Sequence, residues 1–480
     1  MTAWRGAVNN PAMPLRVILN DRPLRNTLTG VGNYIAQLLL NLPAAREGPN
    51  PANSQGRSGR SAAGLPDDGL ETRRNKLRSE TGATGRETKA TGTGGPGFQP
   101  GAVSTGFQPV EATKAAGDLR VDPFFFTYLS RRDWRERLKP SASAPVSRPT
   151  CESTSPPRPL HPPDLGGSRK PWWLRRAMQA VYGGAFRLAA RRYDVYHEPN
   201  HIPMRCALPT VTTIHDLSVL AHPEWHPPDR VRWYEHEFEA GVRQTRVFIA
   251  ASEFTKREMV DRLGVSPKRI RVTYQAPRPA FTPRQPDQIR VELSRLGLPA
   301  RFFLYVGTLE PRKNLEGLLE AYSRLTPALR REHPLAIVGA WGWRQEKLRE
   351  ALHRHALDDD VRLLGYMFDD SLACLYSACT AFVWPTLYEG FGLPPLEAMA
   401  CGAPVIVSNV ASLPEVIGDA GILLDPGAVE PWSEALLAAA EGGDRERDSR
   451  RAAAIERAAQ FTIERFVAAT VAAYRRCLTL

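Results

Sequence analysis

The amino-acid sequence predicts an α/β protein with two Rossmann-like halves that face each other across a cleft. Three observations support this fold class. Short apolar strands alternate with helical patterns in both parts of the chain, Gly-rich or polar turns follow several of the strands, and a Pro-rich stretch at 277–286 separates the two parts. Because open parallel sheets bind ligands at the carboxyl ends of their strands, these turns are the candidate binding positions.

The length and composition indicate a multidomain protein with a sizeable core. The chain has 480 residues, of which 42% are hydrophobic, and at about 150 residues per domain this length suggests two or three domains. Lysine and arginine (63) outnumber aspartate and glutamate (51), which gives a net charge of +12. Such a balance suits anionic partners such as phosphates, acidic lipid surfaces or nucleic acid, but solvated surface arginines explain it equally well.

The cysteines and the hydropathy pattern indicate a reduced, cytoplasmic setting. The six cysteines are scattered, without C-x-x-C spacing or paired histidines nearby, so we expect mostly buried thiols. No apolar segment of the signal-peptide type precedes the first strand, and no run of about 18 apolar residues occurs anywhere. We therefore expect a protein that is neither secreted by that route nor membrane-spanning.

The first domain is predicted at 15–280, after a polar lead-in at 1–14. Two stretches, at about 45–120 and 139–170, are rich in small and polar residues and in proline, and we expect them to be disordered inserts. A strand at 124–128 is expected to resume the fold between them.

A basic helix is predicted at 171–192, with tryptophans and other apolar residues among its arginines. A membrane-surface helix and a half-buried domain helix share this pattern, and we favour the second.

Two turns of the first domain are candidate site elements. Gly30 and Gly32 follow a predicted strand and open a helix, which indicates either an acceptor or phosphate loop or an ordinary structural turn. His215 lies near the end of a β-branched strand at 209–217, where an open α/β sheet places its ligands. A capping or core histidine is the alternative interpretation.

The second domain is predicted at 287–454, and a helix with core periodicity follows at 455–480. Arg312 and Lys313 lie in the turn after the first strand of this domain. Two fixed cations there can neutralise a diphosphate, the arginine through paired N–H donors and the lysine as a point charge. Solvated surface charges are the alternative.

The stretch 381–426 predicts a strand, a Gly-rich turn, a short helix and a second strand. Glycines allow the backbone of the turn to approach a ligand, and the helix start presents unpaired amides to an anion. Pro394 and Pro395 have no N–H. The expected elements of this turn are Gly390 and Gly392, with free amides on Phe391, Gly392 and Leu393 and a further candidate amide on Leu396.

Glu389 and Glu397 flank this turn. Carboxylates repel phosphate but accept hydrogen bonds well from sugar and ribose hydroxyls. A ligand with hydroxyls at both ends and phosphates between them satisfies all of these groups, so the stretch predicts a nucleotide-sugar site.

The run EGFGLPPLEAMACGAPV at 389–405 resembles the E-x7-E signature of retaining glycosyltransferases of family four, and the match continues through SLPEV at 412–416. The resemblance covers essentially the whole chain outside the two inserts. It implies the GT-B fold, with two Rossmann-like domains and a C-terminal helix that crosses back to the first domain.

The resemblance also implies roles for the candidate residues. The donor is expected mainly on the second domain, with Glu397 on the ribose, Lys313 and Arg312 on the diphosphate, and Glu389 on the sugar. His215 is expected near the sugar and the reacting centre, and the acceptor mainly against the first domain. Retention of the anomeric configuration is implied by the resemblance alone.

Two positions depart from the family pattern. Many relatives have arginine where this chain has Thr308, so Arg312 is expected to be only a partial substitute at the diphosphate. The turn Gln275-Ala276-Pro277 replaces a Pro-x-Gly-like turn, which leaves the hinge geometry open.

Three runs narrow the choice of sugar donor: LYVGTLEPRKN at 304–314, HDL at 215–217 and HPE at 222–224. They most resemble bacterial α-mannosyltransferases that use GDP-mannose in surface polysaccharide assembly, but neighbouring members use UDP-sugars on the same scaffold. The acceptor is expected to be a saccharide or a lipid-linked saccharide. Peripheral contact with the inner membrane face stays open, and we expect no nucleic acid partner.

We expect neither a metal nor a cofactor besides the nucleotide-sugar. Asp358–Asp360 formally contains D-x-D, which holds a metal in other glycosyltransferases, but it precedes a strand and so lies at the sheet edge opposite to the ligands. Two other function classes stay open: a nucleotide-sugar epimerase on the same scaffold, and a catalytically silent module that binds the nucleotide-sugar.

Overall fold

The computed structural model describes residues 15–20, 30–42, 119–124, 172–339 and 345–480, which all belong to one structural unit. They form two parallel six-stranded sheets, one in each half of the chain. The predicted lead-in at 1–14 and nearly all of the two predicted inserts lie outside the described residues.

The first sheet has the strand order β2-β1-β3-β4-β5-β6. Its strands are β1 (Leu15–Asn20), β2 (Leu119–Phe124), β3 (Val195–Glu198), β4 (Thr210–Ile214), β5 (Thr245–Ala250) and β6 (Ile270–Val272). The helices of this half are α1 (Gly30–Asn41), α2 (Trp172–Ala190), α3 (Ser218–Ala221), α4 (Pro228–Gln244) and α5 (Glu253–Leu263).

The second sheet has the order β12-β11-β10-β7-β8-β9. Its strands are β7 (Phe303–Val306), β8 (Leu335–Val338), β9 (Val361–Gly365), β10 (Ala381–Trp384), β11 (Val405–Ser408) and β12 (Ile422–Leu424). The helices are α6 (Pro286–Leu296), α7 (Leu315–Ser323), α8 (Pro327–Glu332), α9 (Gln345–Arg354), α10 (Asp369–Ala378), α11 (Leu393–Ala400), α12 (Leu413–Ile417), α13 (Val429–Glu441), α14 (Asp444–Ala458) and α15 (Ile463–Thr479). Counted from β7, this is the Rossmann order: β8 and β9 are added on one side of β7 and β10 to β12 on the other, so the switch point of this parallel sheet lies between β7 and β10.

The sequence explains why these strands are central. β7, β8, β10 and β11 are short apolar runs that are buried throughout, because helices cover both faces of a parallel sheet. One large core surrounds the second sheet, and smaller clusters surround the first. The two predicted Rossmann-like halves are therefore confirmed.

The strand that resumes the first sheet is β2 at Leu119–Phe124, which begins five residues before the predicted start at 124. Leu119 and Val121 are buried whereas Arg120 is exposed. Because apolar and polar side chains alternate along this strand, its composition resembles that of the predicted insert before it, and the sequence pattern did not reveal its start. β2 pairs in parallel with β1 from Leu15↔Leu119 onward, and residues 125–128 lie outside the described part of the chain.

The predicted helix at 455–480 is in fact two segments. α14 ends at Ala458 and packs on the second half, whereas α15 begins at Ile463, where the Thr462 side chain accepts a hydrogen bond from the Arg465 amide. Phe466 and Tyr474 of α15 join the core of the first sheet. The crossing back to the first domain is confirmed, but the apolar periodicity continued across the break and concealed it.

Helix α2 is half-buried over the residues whose side chains are described. Tyr182, Phe186 and Ala190 pack into a core cluster, whereas Val181 and Leu188 are exposed. This burial confirms the half-buried interpretation for 181–190. Within the described parts of the chain, no helix is long and apolar enough to cross a membrane.

Candidate active site

The candidate site lies where β7 and β10 end side by side. The turn after β7 contains Lys313 and the turn after β10 contains Glu389, so the pairing of these two parallel strands at the switch point brings the turns together. The Lys313 ammonium donates a hydrogen bond to Glu389 Oε1, and both residues are more than nine-tenths buried. The structure thus joins two predicted site residues in one buried ion pair.

Arg312 completes this cluster. Its guanidinium lies 2.5 Å from Glu310 Oε1 and 3.5 Å from Glu389 Oε2, and Nη1 donates to the Tyr388 carbonyl. Burial lowers the pKa of Arg312, but Glu389, Glu310 and Asp216 outweigh it, so the pKa is raised and the group stays charged. Two cations and two carboxylates therefore form one compact, charge-balanced group.

Lys313 is the more sensitive of the two cations. Burial and the neighbouring Arg312 lower its pKa, which Glu389 opposes. Its ammonium also lies 4.6 Å from the ring centroid of Trp384, the last residue of β10. The lysine is consequently fixed by an ion pair on one side and an aromatic face on the other.

The turn 389–393 needs its two predicted glycines for different reasons. A Cβ on Gly390 would lie 1.8 Å from the His215 carbonyl oxygen of the first domain. Gly392 adopts φ 102°, which favours glycine, at the N-cap of α11. The first glycine therefore permits a close approach between the domains, and the second shapes the start of the helix.

The amides predicted to be free are only partly so. The Leu396 amide donates to the Gly392 carbonyl within the first helical turn, so the prediction of a free amide at Leu396 was wrong. Phe391, Gly392 and Leu393 have amides for which the described residues provide no hydrogen-bond acceptor. Because α11 begins at Leu393, these three amides lie at its N-terminus, where an anion is favoured.

Glu397, the fifth of the eight residues of α11, has a partner that sequence reasoning missed. Arg278 donates from Nε to Glu397 Oε1 at 2.8 Å and from Nη2 to Oε2 at 3.2 Å. Burial raises the pKa of Glu397, and Arg278 opposes this rise. The only signal in the sequence was that Arg278 follows the atypical turn 275–277.

His215 follows β4 in the first domain and is held in one orientation. Its Nε2 lies 2.8 Å from the Pro199 carbonyl, which can only accept, so the neutral ring carries its proton on Nε2 and presents a lone pair on Nδ1. Burial lowers the pKa of His215, although Pro199 and Asp216 raise it. The Tyr34 ring packs edge-on against His215 with centroids 5.0 Å apart.

Tyr34 connects His215 to the other predicted element of this domain. It lies on α1, whose first residues include Gly30 and the buried Gly32. The start of α1 and the end of β4 are therefore neighbours.

Asp216 was not predicted as a site residue. Its Oδ1 accepts hydrogen bonds from the Ser218 amide at 2.9 Å and the Ser218 hydroxyl at 2.7 Å. Burial raises the pKa of Asp216, but Arg312 and His201 outweigh it, and the pKa falls to about 2. Its position directly after His215 was the signal available in the sequence.

Contacts between the domains bring the two halves of the site together. The Thr255 hydroxyl donates to the Gly390 carbonyl at 3.2 Å, and the Leu217 amide donates to the Tyr388 hydroxyl at 3.2 Å. Glu415 of α12 accepts from the first two amides of α5 at 3.0 Å each. His215 of the first domain thus faces the turn of the second domain that carries Glu389.

The acidic run 358–360 lies away from these residues, in the turn before β9. Asp360 pairs with Arg330 at 2.7 Å and Asp358 with His353 at 3.0 Å. Over the ranges that the structure describes, no cluster of three or more His, Cys, Asp or Glu side chains could hold a metal ion.

Two Rossmann-like domains that place charged turns against each other fit the GT-B fold of glycosyltransferases. The sequence model described as "Glycosyl transferases group 1" matches residues 294–460, and that described as "Glycosyltransferase Family 4" matches residues 119–276. The chain is 39% identical over 283 residues to the O-antigen chain mannosyltransferase B of Escherichia coli, which covers 58% of this chain and 74% of that protein. The chain belongs to glycosyltransferase family 4.

Other relatives agree with this assignment. The serotype-specific mannosyltransferase WbdA of Escherichia coli is 32% identical over 246 residues, which are 50% of this chain and 29% of that longer protein. Among solved structures, WaaG, a glycosyltransferase involved in lipopolysaccharide biosynthesis, matches with a TM-score of 0.52 at 19% identity, over 62% of this chain and 82% of WaaG. Anabaena Alr3699/HepE in complex with UDP and glucose matches with a TM-score of 0.50 at 20% identity, over 62% and 80%. These structures establish the fold, and the relatives give the epimerase alternative no support.

Proposed function

We propose that this glycosyltransferase transfers mannose from GDP-mannose to a saccharide or lipid-linked acceptor, with retention of configuration, in surface polysaccharide synthesis. The observation that carries the proposal is the buried cluster of Arg312, Lys313 and Glu389 at the switch point of the second sheet, opposite His215. The mannose assignment is supported by the 39% identity to a protein named as an O-antigen mannosyltransferase. A UDP-sugar is the alternative donor.

The diphosphate of the donor would bind Lys313 and Arg312. Both cations already lie beside carboxylates, so the entering phosphates must compete with Glu310 and Glu389 for the N–H groups of Arg312 and Lys313. When Lys313 binds the phosphate, Glu389 becomes available to the sugar hydroxyls. A carboxylate accepts strong hydrogen bonds from such hydroxyls. The amides at the start of α11 complete the anion site.

The reaction would form a bond between the acceptor oxygen and the anomeric carbon while the bond from that carbon to the diphosphate oxygen breaks. The acceptor proton passes to the departing diphosphate on the same face of the sugar. His215, neutral and fixed through Pro199, would accept a hydrogen bond from the sugar on Nδ1 and, with Glu389, stabilise the developing positive charge.

We also propose that the reaction needs neither a metal nor a cofactor. Arg312 and Lys313 would stabilise the leaving diphosphate at the position where other enzymes use a divalent ion.

Transfer assays with GDP- and UDP-sugars, each with magnesium and with a chelator, test these statements. We expect turnover with GDP-mannose under both conditions and an axial product linkage by proton NMR. Glu389→Gln and Lys313→Ala should abolish transfer while circular dichroism stays unchanged. Full activity in both variants, an inverted product or a strict magnesium requirement would each contradict the corresponding statement.

The enzyme would act in the cytoplasm, with peripheral contact at the inner membrane face through α2. Val181 (61% exposed) and Leu188 (66% exposed) lie seven positions apart, and so on one side of the helix, close to the exposed Arg187. Val181→Ser/Leu188→Ser should weaken flotation with anionic vesicles. Val291→Ser, at an equally exposed valine of α6, is the matched control, and equal flotation of all three proteins would contradict the contact.

A further inference from the structure

The segment that passes from the first sheet to the second carries an arginine directed at the donor side of the cleft. Arg278 lies between β6 and α6, in the part of the chain where the domains are joined. Its guanidinium uses two nitrogens for the two oxygens of Glu397, and Nη1 lies 2.5 Å from Asp369 Oδ1 at the start of α10. One linker side chain therefore binds two helices of the second domain.

The side chain is fixed by its surroundings as well as by its ion pairs. The Arg278 guanidinium lies 4.5 Å from the ring centroid of Phe281, and only 20% of the side chain is exposed. Two residues earlier, the Ala276 carbonyl accepts a hydrogen bond from Gln37 of α1 at 3.3 Å. The linker is thus attached to the first domain at Ala276 and to the second at Arg278.

This arrangement leaves Glu397 able to accept further hydrogen bonds. Each carboxylate oxygen has two lone-pair sites, and Arg278 occupies one site on each oxygen. The remaining sites are held in one plane by the two-point contact. Adjacent hydroxyls on one ring, such as the 2′ and 3′ hydroxyls of a ribose, match a carboxylate held in this way.

We propose that Arg278 is a positioning residue for donor binding, which holds the Glu397 carboxylate oriented toward the ribose of a nucleoside diphosphate sugar. The inference rests on the proposed function, because it takes the nucleotide as the ligand of Glu397. It extends that function by giving the domain linker a part in nucleotide recognition.

The test compares ribose recognition in the wild type and in Arg278→Lys and Arg278→Gln. Calorimetry measures the Kd of GDP and UDP, and then of the 2′-deoxy and 3′-deoxy forms of the nucleotide that binds. In the wild type we expect removal of a ribose hydroxyl to weaken binding by about tenfold or more, as for hydrogen bonds to a charged group. In both variants the parent nucleotide should bind about tenfold more weakly, and the deoxy forms should bind nearly as well as the parent.

The matched control is Arg284→Gln on the same linker. Arg284 pairs with Asp370, whose side chain is 84% exposed, and donates to the Ala280 carbonyl, so its loss perturbs the linker without touching Glu397. This variant should keep the wild-type preference for ribose. Arg278→Lys keeps the positive charge, and its melting temperature shows whether loss of binding follows from unfolding.

Each outcome separates the two proposals. If the wild type binds neither GDP nor UDP, the proposed function itself fails. If the wild type distinguishes ribose from deoxyribose and the Arg278 variants do so equally, only the positioning role is overturned. A wild type that binds nucleotide but ignores the ribose hydroxyls also overturns the inference, since Glu397 would then have a different ligand.

Discussion

Substitution of Gly390 by alanine tests whether the close contact between the two domains matters for the reaction. The new Cβ would lie 1.8 Å from the His215 carbonyl oxygen and 2.7 Å from the Asp216 Cβ. The φ angle of Gly390 is outside the left-handed region, so the backbone tolerates alanine and the effect is purely steric. The turn that carries Glu389 must therefore move away from His215.

The magnitude follows from the overlap. Relief of the contact requires a shift of roughly 1 Å or more, and a misplacement of that size costs on the order of 100-fold in rate. This loss corresponds to about 2.7 kcal/mol in the activation free energy. The cores of both domains are untouched, so we expect the melting temperature to change little.

The assay is the kcat/KM for transfer, measured beside the thermal unfolding of the same preparation. Gly443→Ala is the control, because a Cβ there meets no atom within 4 Å and the φ of Gly443 is −71°. Wild-type activity of Gly390→Ala would show that the domains do not approach this closely during turnover, and would refute the reasoning.

Two further predictions concern the first domain. Burial lowers the pKa of His215, so the residue is neutral above the ordinary histidine pKa of about 6.5. We therefore expect kcat to stay level from about pH 7 to 8.5 and to fall only on the acid side of about pH 6.5. An inflection of kcat above about pH 7 that disappears in His215→Gln would contradict this. Tyr474→Phe removes the hydroxyl that lies 2.9 Å from the buried His197 Nδ1, which should cost about 1–3 kcal/mol of unfolding free energy and lower the melting temperature by a few degrees. The exposed Tyr366→Phe should leave the melting temperature unchanged, and an equal effect of both substitutions would contradict a specific role for the buried hydrogen bond.

The pairing of Lys313 with Glu389 was within reach of sequence reasoning. Both residues follow buried apolar strands, and turns at the carboxyl ends of parallel strands converge at the switch point of a Rossmann sheet. The glycines at 390 and 392 were predictable as a turn for the same reason. Their separate roles were not, because the contact with His215 involves a residue 175 positions earlier in the chain.

Arg278, Glu310 and Asp216 show what local pattern reasoning misses. Each is a charged residue in a loop, and a solvated loop charge has the same local sequence as a buried one. Only the tertiary structure buries Arg278 against Glu397 and, within the second domain, places Arg312 between Glu310 and Glu389. The start of the strand Leu119–Phe124 was missed for a related reason, since its alternating polar residues resemble the insert before it.

The amino-acid sequence by itself determined the fold class and the family, because apolar periodicity, Gly-rich turns and the E-x7-E run are local features of the sequence. Apart from the pairing of Lys313 with Glu389, the tertiary structure alone decided which charges meet. Ion pairs between distant loops depend on strand order and domain closure, and these arise from burial of the two cores as a whole. For that reason the turn at 389–393 and the candidate His215 were recognisable in the sequence, whereas the contact of this turn with the His215 carbonyl and the pairing of Arg278 with Glu397 became visible only in the folded chain.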